Sequence, residues 1–217
     1  MRNKTSFTLS VMGIIAGIAG MEHGIGEIWQ GNIQPENIVF ASWANHPAFQ
    51  SLAGEPAMSL IPNLLISGIM TIFLSSVFIY WSVKYHQHPI YGVGFMVLSV
   101  LLLISGGGFG PPLLGVMLGI FSLISTKKTG TQSVNSRSFK NQLAPYWKPI
   151  FLINLGVWIF LCPIFPILCS ILHFQDDNLV AFVTPTAFLF LFLSLLVAST
   201  QDTINQQHSK IIEKYNG

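Results

Sequence analysis

All the lysine and arginine of this chain lies in polar segments that a single threading through a bilayer leaves on one side. Arg2 and Lys4 precede a first apolar stretch, and Lys84 follows a second. Lys127, Lys128, Arg137, Lys140 and Lys148 stand between the fourth and fifth, and Lys210 and Lys214 lie in the tail. The alternate polar segments hold only acids: Glu22, Glu27, Glu36, Glu55, Asp176 and Asp177. Short loops rich in Lys and Arg stay cytoplasmic, because a cation near the bilayer centre is costly. The pattern predicts an all-α, polytopic transmembrane helix bundle of about six spans, with both termini in the cytoplasm and the plasma membrane as its location. Soluble domains carry about 25% charged residues. This chain carries 8%, with 51% hydrophobic residues, which excludes a water-soluble fold.

Six spans of roughly 20 residues fill most of such a chain, so residues 1–217 read as a single integral membrane domain. It has one outer segment (30–56), one cytoplasmic loop (126–147) and a polar cytoplasmic tail (200–217). The start is basic, then apolar, with small residues at Gly17 and Ala19, and so resembles a secretory signal. The helical pattern runs on to Trp29, however, which favours an uncleaved first span over 6–29. The second span is expected over 57–83, the fifth over 149–174 with a kink at Pro163 and Pro166, and the sixth over 179–199. Between the second and fifth lie two short apolar stretches, 89–105 and 111–125. Seventeen helical residues reach about 25 Å against a hydrocarbon core of about 30 Å. They read as a short hairpin of spans, with a re-entrant pair as the alternative.

The first span carries the best functional signal. At about 100° per residue, Gly13, Ala16, Gly17, Gly20 and Gly24 share one third of the circumference with His23 and Glu27. A stripe of small residues lets another helix approach closely, so this face is expected inside, with Ile18 on the other side. His23 lies about 9 Å below Trp29 along the axis. Ionisable groups at that depth default to a functional hypothesis, and a solvated loop is the alternative, since two glycines weaken the helix here. His23 and Glu27, one turn apart, are expected to pair and face an outward-open polar cavity, with Glu22 pointing elsewhere.

His173 and Asp176 fall on the same outer side, as does His46. A divalent metal held by His23, Glu27, His173 and Asp176 is the only cofactor worth weighing, although the spacing matches no diagnostic metal motif. The glycine-rich tip, Gly106, Gly107, Gly108 and Gly110, reads either as an anion nest or as a tight turn that exploits positive φ. Cys162 and Cys169, about 10 Å apart along one helix, are too distant for a disulfide.

The lipid bilayer is the first expected partner, followed by a second copy of the chain or another membrane subunit. No basic, aromatic-interleaved groove suggests nucleic acid. Three functions fit these residues. The first is a small transporter, channel or permease component with an outward-facing His/Glu site. The second is an accessory or structural subunit of a larger complex. The third is a membrane-embedded enzyme, with or without a metal, using His23, Glu27, Glu22 and His173.

Overall fold

Backbone amides in hydrocarbon have no water to bond, so apolar stretches close their hydrogen bonds within themselves as helices. The computed structural model describes residues 3–127, 142–172 and 176–216. Among them, Lys4–Gln30 (α1), Leu64–Lys84 (α2), Ala144–Leu172 and Asn178–Gln206 are long and apolar enough to cross a membrane. The shorter apolar helices are α3 (Tyr91–Ile104) and α4 (Gly110–Lys127). The third long segment divides into α5 (Trp147–Ile159), a π-turn (Phe160–Ile164) and α6 (Phe165–Leu172). Pro163 lies inside that π-turn, where its missing N–H is absorbed by wider winding. The last helix, α7 (Asp177–Asn216), runs through Pro185 and on into the tail expected to be plain polar chain.

Helix α1 is the axis of the bundle. A Cβ at Gly24 would meet the Gly68 carbonyl oxygen at 2.8 Å, and one at Gly68 would meet the Gly24 carbonyl oxygen at 2.5 Å. The two backbones therefore touch where α1 crosses α2, a contact only glycine permits. Gly13 lies against Ser82 and the Phe95 ring, Gly17 against Ile79, and Gly20 against Ser75. Ala16 is fully buried, whereas Ile18 is exposed. The α3–α4 hairpin repeats the device, with Gly92 and Gly119 each facing the other's carbonyl oxygen. Leu9, Met12, Phe78, Phe95, Leu102, Leu114, Leu118 and Leu191 fill the core between these helices.

At the end bearing the lysines, the bundle is tied by satisfied polar groups. The Asp202 carboxylate of α7 accepts from the backbone N–H groups of Lys4 (2.9 Å) and Thr5 (2.8 Å). It caps orphan donors at the positive end of the α1 dipole. The hydroxyls of Ser10 and Tyr91 both donate to the Ser82 carbonyl oxygen at 2.7 Å.

The opposite, acidic end differs from the all-α expectation. Strands β1 (Val39–Ala41) and β2 (Pro56–Met58) form a small antiparallel sheet, pairing Val39 with Met58 and Ala41 with Pro56. A 3-10 helix, Pro47–Leu52, lies between them. The second span consequently begins at Leu64 rather than at residue 57, with the Asn63 side chain capping it by accepting from Ile66 N–H. Apolarity alone did not distinguish a strand that needs a partner from the first turn of a helix. The hairpin tip sits beneath this cap. Ser59 bridges to Ser105, Leu60 N–H donates to the Ile104 carbonyl at 2.9 Å, and the Ser105 carbonyl accepts from Ser67 and Thr71 at 2.6 Å each. The backbone entering the tip thus finds its partners within the protein.

Candidate functional site

The sheet and the tip close over the last two turns of α1, and the site forms there. Gly26 is what lets the sheet lie so close: a Cβ there would meet the Ser42 carbonyl oxygen at 2.5 Å and the Trp43 indole at 2.8 Å. Gln30 locks the approach by donating to the carbonyls of Ala41 (3.0 Å) and Ser42 (2.7 Å). Ser42 is thereby brought to His23, its hydroxyl 2.9 Å from Nδ1. His23 is only 6% exposed and Ser42 not at all, so water does not compete for this bond.

The other ring nitrogen faces a residue 32 positions along the chain. His23 Nε2 stands 3.3 Å from a Glu55 carboxylate oxygen. That contact lies within ion-pair distance, but the same oxygen has no aligned hydrogen-bond donor among the described residues, and it becomes an ion pair only with a protonated imidazole. Glu55 reaches His23 through a run of left-handed backbone: φ is 52° at Ala53, 69° at Gly54 and 53° at Glu55. This conformation costs about 1 kcal/mol or more at each residue bearing a Cβ. It is held by Ser42 N–H to the Glu55 carbonyl (3.0 Å), Trp43 N–H to the Gly54 carbonyl (2.9 Å) and Gly54 N–H to the Phe49 carbonyl (2.8 Å). Such strain collects where a side chain must be aimed. Burial pushes the Glu55 carboxyl up to about 7. Glu22, from the neighbouring position on α1, is close enough to interact with it electrostatically.

Glu22, His23 and Glu55 line one side of a cavity of about 280 Å³. Phe109, Gly110 and Pro111 of the tip, Leu114 of α4, Trp158 and Leu161 from the α5 segment, and Thr184 of α7 form much of the rest. Trp158 is 5% exposed, its ring held edge-on against Phe188 at 5.2 Å, and its indole N–H has no partner. Cys162 also lines the cavity, while Cys169 is buried in α6; both are free thiols.

The structure separates the residues expected to act together. His23 and Glu27 share a buried face of α1, but the partners of His23 are Ser42 and Glu55, not Glu27. Glu27 is fully buried beside the Ser67 hydroxyl, and it does not line the cavity. It stands against Gly106 of the tip, where an added Cβ would fall on its oxygens; a Cβ at Gly108 would likewise fall on the His23 ring. Gly106 and Gly108 have φ of 110° and 72°, and Gly107 N–H returns to the Leu102 carbonyl at 2.8 Å. The tip therefore turns and packs on these two side chains at once, with Gly110 in the cavity wall. Glu22, expected to point elsewhere, lines the cavity beside His23.

Asp176 is occupied with capping. Its carboxylate accepts from Leu179 N–H at 3.0 Å, and its own N–H donates to Ser51 Oγ at 3.0 Å. His46 accepts from Ala48 N–H at the start of the 3-10 helix and packs against Trp43 and Phe49. His173 lies outside the described residues. Among the described residues no group of three or more His, Cys, Asp or Glu is arranged to hold a metal ion.

Ser42, Glu55 and Trp158 are the site residues that sequence periodicity did not reveal. One local signal existed. Ala53-Gly54-Glu55-Pro56 places an acid between a glycine and a proline, a composition suited to a sharp turn that aims a side chain. No family model, curated protein or solved structure is similar to this chain. Its four long apolar helices mark it as an α-helical membrane protein.

Proposed function

We propose that the protein is a small transport or permease component of the plasma membrane, crossing the bilayer about six times with both termini inside. In this reading the acidic end faces outward, and the cavity beside Glu22, His23 and Glu55 receives a solute from that side. The observation that carries it is the cavity itself: a partly open space of about 280 Å³ among four helical segments, lined by Glu22, His23 and Glu55 in an otherwise nearly uncharged bundle. The segregation of Lys and Arg supports the orientation. The α3–α4 hairpin supplies the two short spans, its tip covered by the outer cap rather than by lipid.

The enzyme reading draws on the Ser42–His23–Glu55 chain, which has the residue types of a hydrolytic triad. A nucleophile must reach its substrate, however, and Ser42 is fully buried and does not line the cavity. We therefore assign Ser42 to orienting the imidazole.

The test is accessibility of the cavity from each side. Thr184→Cys, in a background without Cys162 and Cys169, should react with an impermeant thiol reagent in both right-side-out and inside-out vesicles, as alternating access requires. Reaction from one side only would replace transport by binding and favour the accessory-subunit reading. Reaction from neither side would leave no solute path.

A further inference from the structure

We infer that the cavity takes a small organic cation, an ammonium ion with a compact apolar body; the inference rests on the cavity being a solute site. Its charge is one-sided. Glu22 and Glu55 line it together with His23, and no Lys or Arg is among the lining residues. Glu22 and Glu55 are close enough to interact electrostatically, and a cation beside them would stabilise their ionised forms in a wall that otherwise disfavours charge. An inorganic divalent ion does not suit the place, since no group of three or more ligating side chains stands ready among the described residues.

The remaining wall selects the body of the ligand. Leu52, Leu114, Leu161 and Phe109 are apolar, and Trp158 presents a large aromatic surface. Aromatic faces attract ammonium groups most strongly when both are desolvated, and Trp158 is nearly fully buried. Its indole N–H, buried and without a partner among the described residues, belongs to the same wall. A buried donor is costly when left unpaired, and an oxygen on the cation would satisfy it. The volume lies at the lower edge of ligand pockets, which run from about 300 to 1,000 Å³, so the ligand is small.

The full-length protein in lipid nanodiscs should be titrated calorimetrically with two cations and their uncharged counterparts: choline against 3,3-dimethylbutan-1-ol, and benzylamine against benzyl alcohol. At least one cation should bind saturably and about tenfold or more tighter than its neutral partner. Glu55→Gln and Glu22→Gln should each reduce that preference, and Trp158→Phe should weaken binding while the melting temperature stays near that of the unaltered protein. If Glu55→Gln does not fold, Glu22→Gln carries the same test. Equal affinity for cation and neutral partner would overturn the cation assignment while leaving a solute cavity. If neither pair binds but Thr184→Cys is still labelled from both sides, the cation assignment also fails and the transport reading survives. Loss of two-sided labelling would remove the transport reading itself.

Discussion

Helix α1 meets its neighbours on two different terms. Toward the basic end its face is small and its polar groups are largely tied to backbone: Ser10 and Tyr91 share the Ser82 carbonyl, and Asp202 closes the helix N-terminus, leaving Thr5 Oγ1 and Gln201 Oε1 as the buried atoms without a described partner there. Toward the acidic end the same face carries His23 and Glu27, and the neighbours are a strand, a left-handed turn and a glycine tip. Here one oxygen of Glu55 and the indole N–H groups of Trp43 and Trp158 are buried without hydrogen-bond partners among the described residues. A satisfied buried network rigidifies a bundle, whereas unsatisfied groups are tolerated where something else repays them. One end of α1 is built for packing and the other for a site.

The sharpest way to break this contrast is to overfill the packing end of the helix. Gly13→Leu drives a side chain onto the Ser82 Cβ and the Phe95 ring, and should cost about 3 kcal/mol. Ile18→Leu, on the exposed face, should be nearly silent. Thermal unfolding in detergent measures both, and equal melting temperatures would show that the face assignment is wrong.

The site end should respond to pH instead. Glu55 has a carboxyl raised to about 7 in the fold and near 4.5 when unfolded. Between those values the folded state holds the extra proton, so stability falls as pH rises through this window. Each pKa unit is worth about 1.4 kcal/mol, so a loss of about 3 kcal/mol is expected between pH 4.5 and 7. His23 and Glu22 on α1 and Cys162 on the α5 segment are the titratable groups nearest Glu55 in the cavity wall. Glu55→Gln should flatten the melting profile across this window; a wild-type profile already flat there would remove Glu55 from the account.

The smallest effects compare polar groups directly. Tyr91→Phe deletes a hydrogen bond within the satisfied network and should cost about 1 kcal/mol. Glu27→Gln keeps the shape of the side chain and an oxygen for the Ser67 hydroxyl while removing a buried charge, and should cost no more than about 0.5 kcal/mol. Reversal of that order in the two melting temperatures would erase the distinction between the ends.

Much of the packing end was legible beforehand. The stripe of Gly13, Ala16, Gly17, Gly20 and Gly24 follows from helical geometry, because one turn fixes which side chains share a face. A break at Pro163 was also legible from its missing N–H, and the structure makes it a π-turn. At the site end the same arithmetic placed His23 and Glu27 together but chose the wrong partner for His23. The start of the second span was also misplaced, since residues 56–58 pair with 39–41 and no local pattern announces a three-residue strand.

Local periodicity and charge therefore determined that this chain is a helical membrane protein, which faces of α1 are inward, and where the acids gather. Tertiary structure alone decided that Ser42 and Glu55 flank His23, that Gly106 and Gly108 seat the tip on Glu27 and His23, and that Trp158 closes the cavity. Those contacts join positions far apart in sequence through irregular backbone. Such backbone repeats with no period and is held only by the partners that folding brings to it.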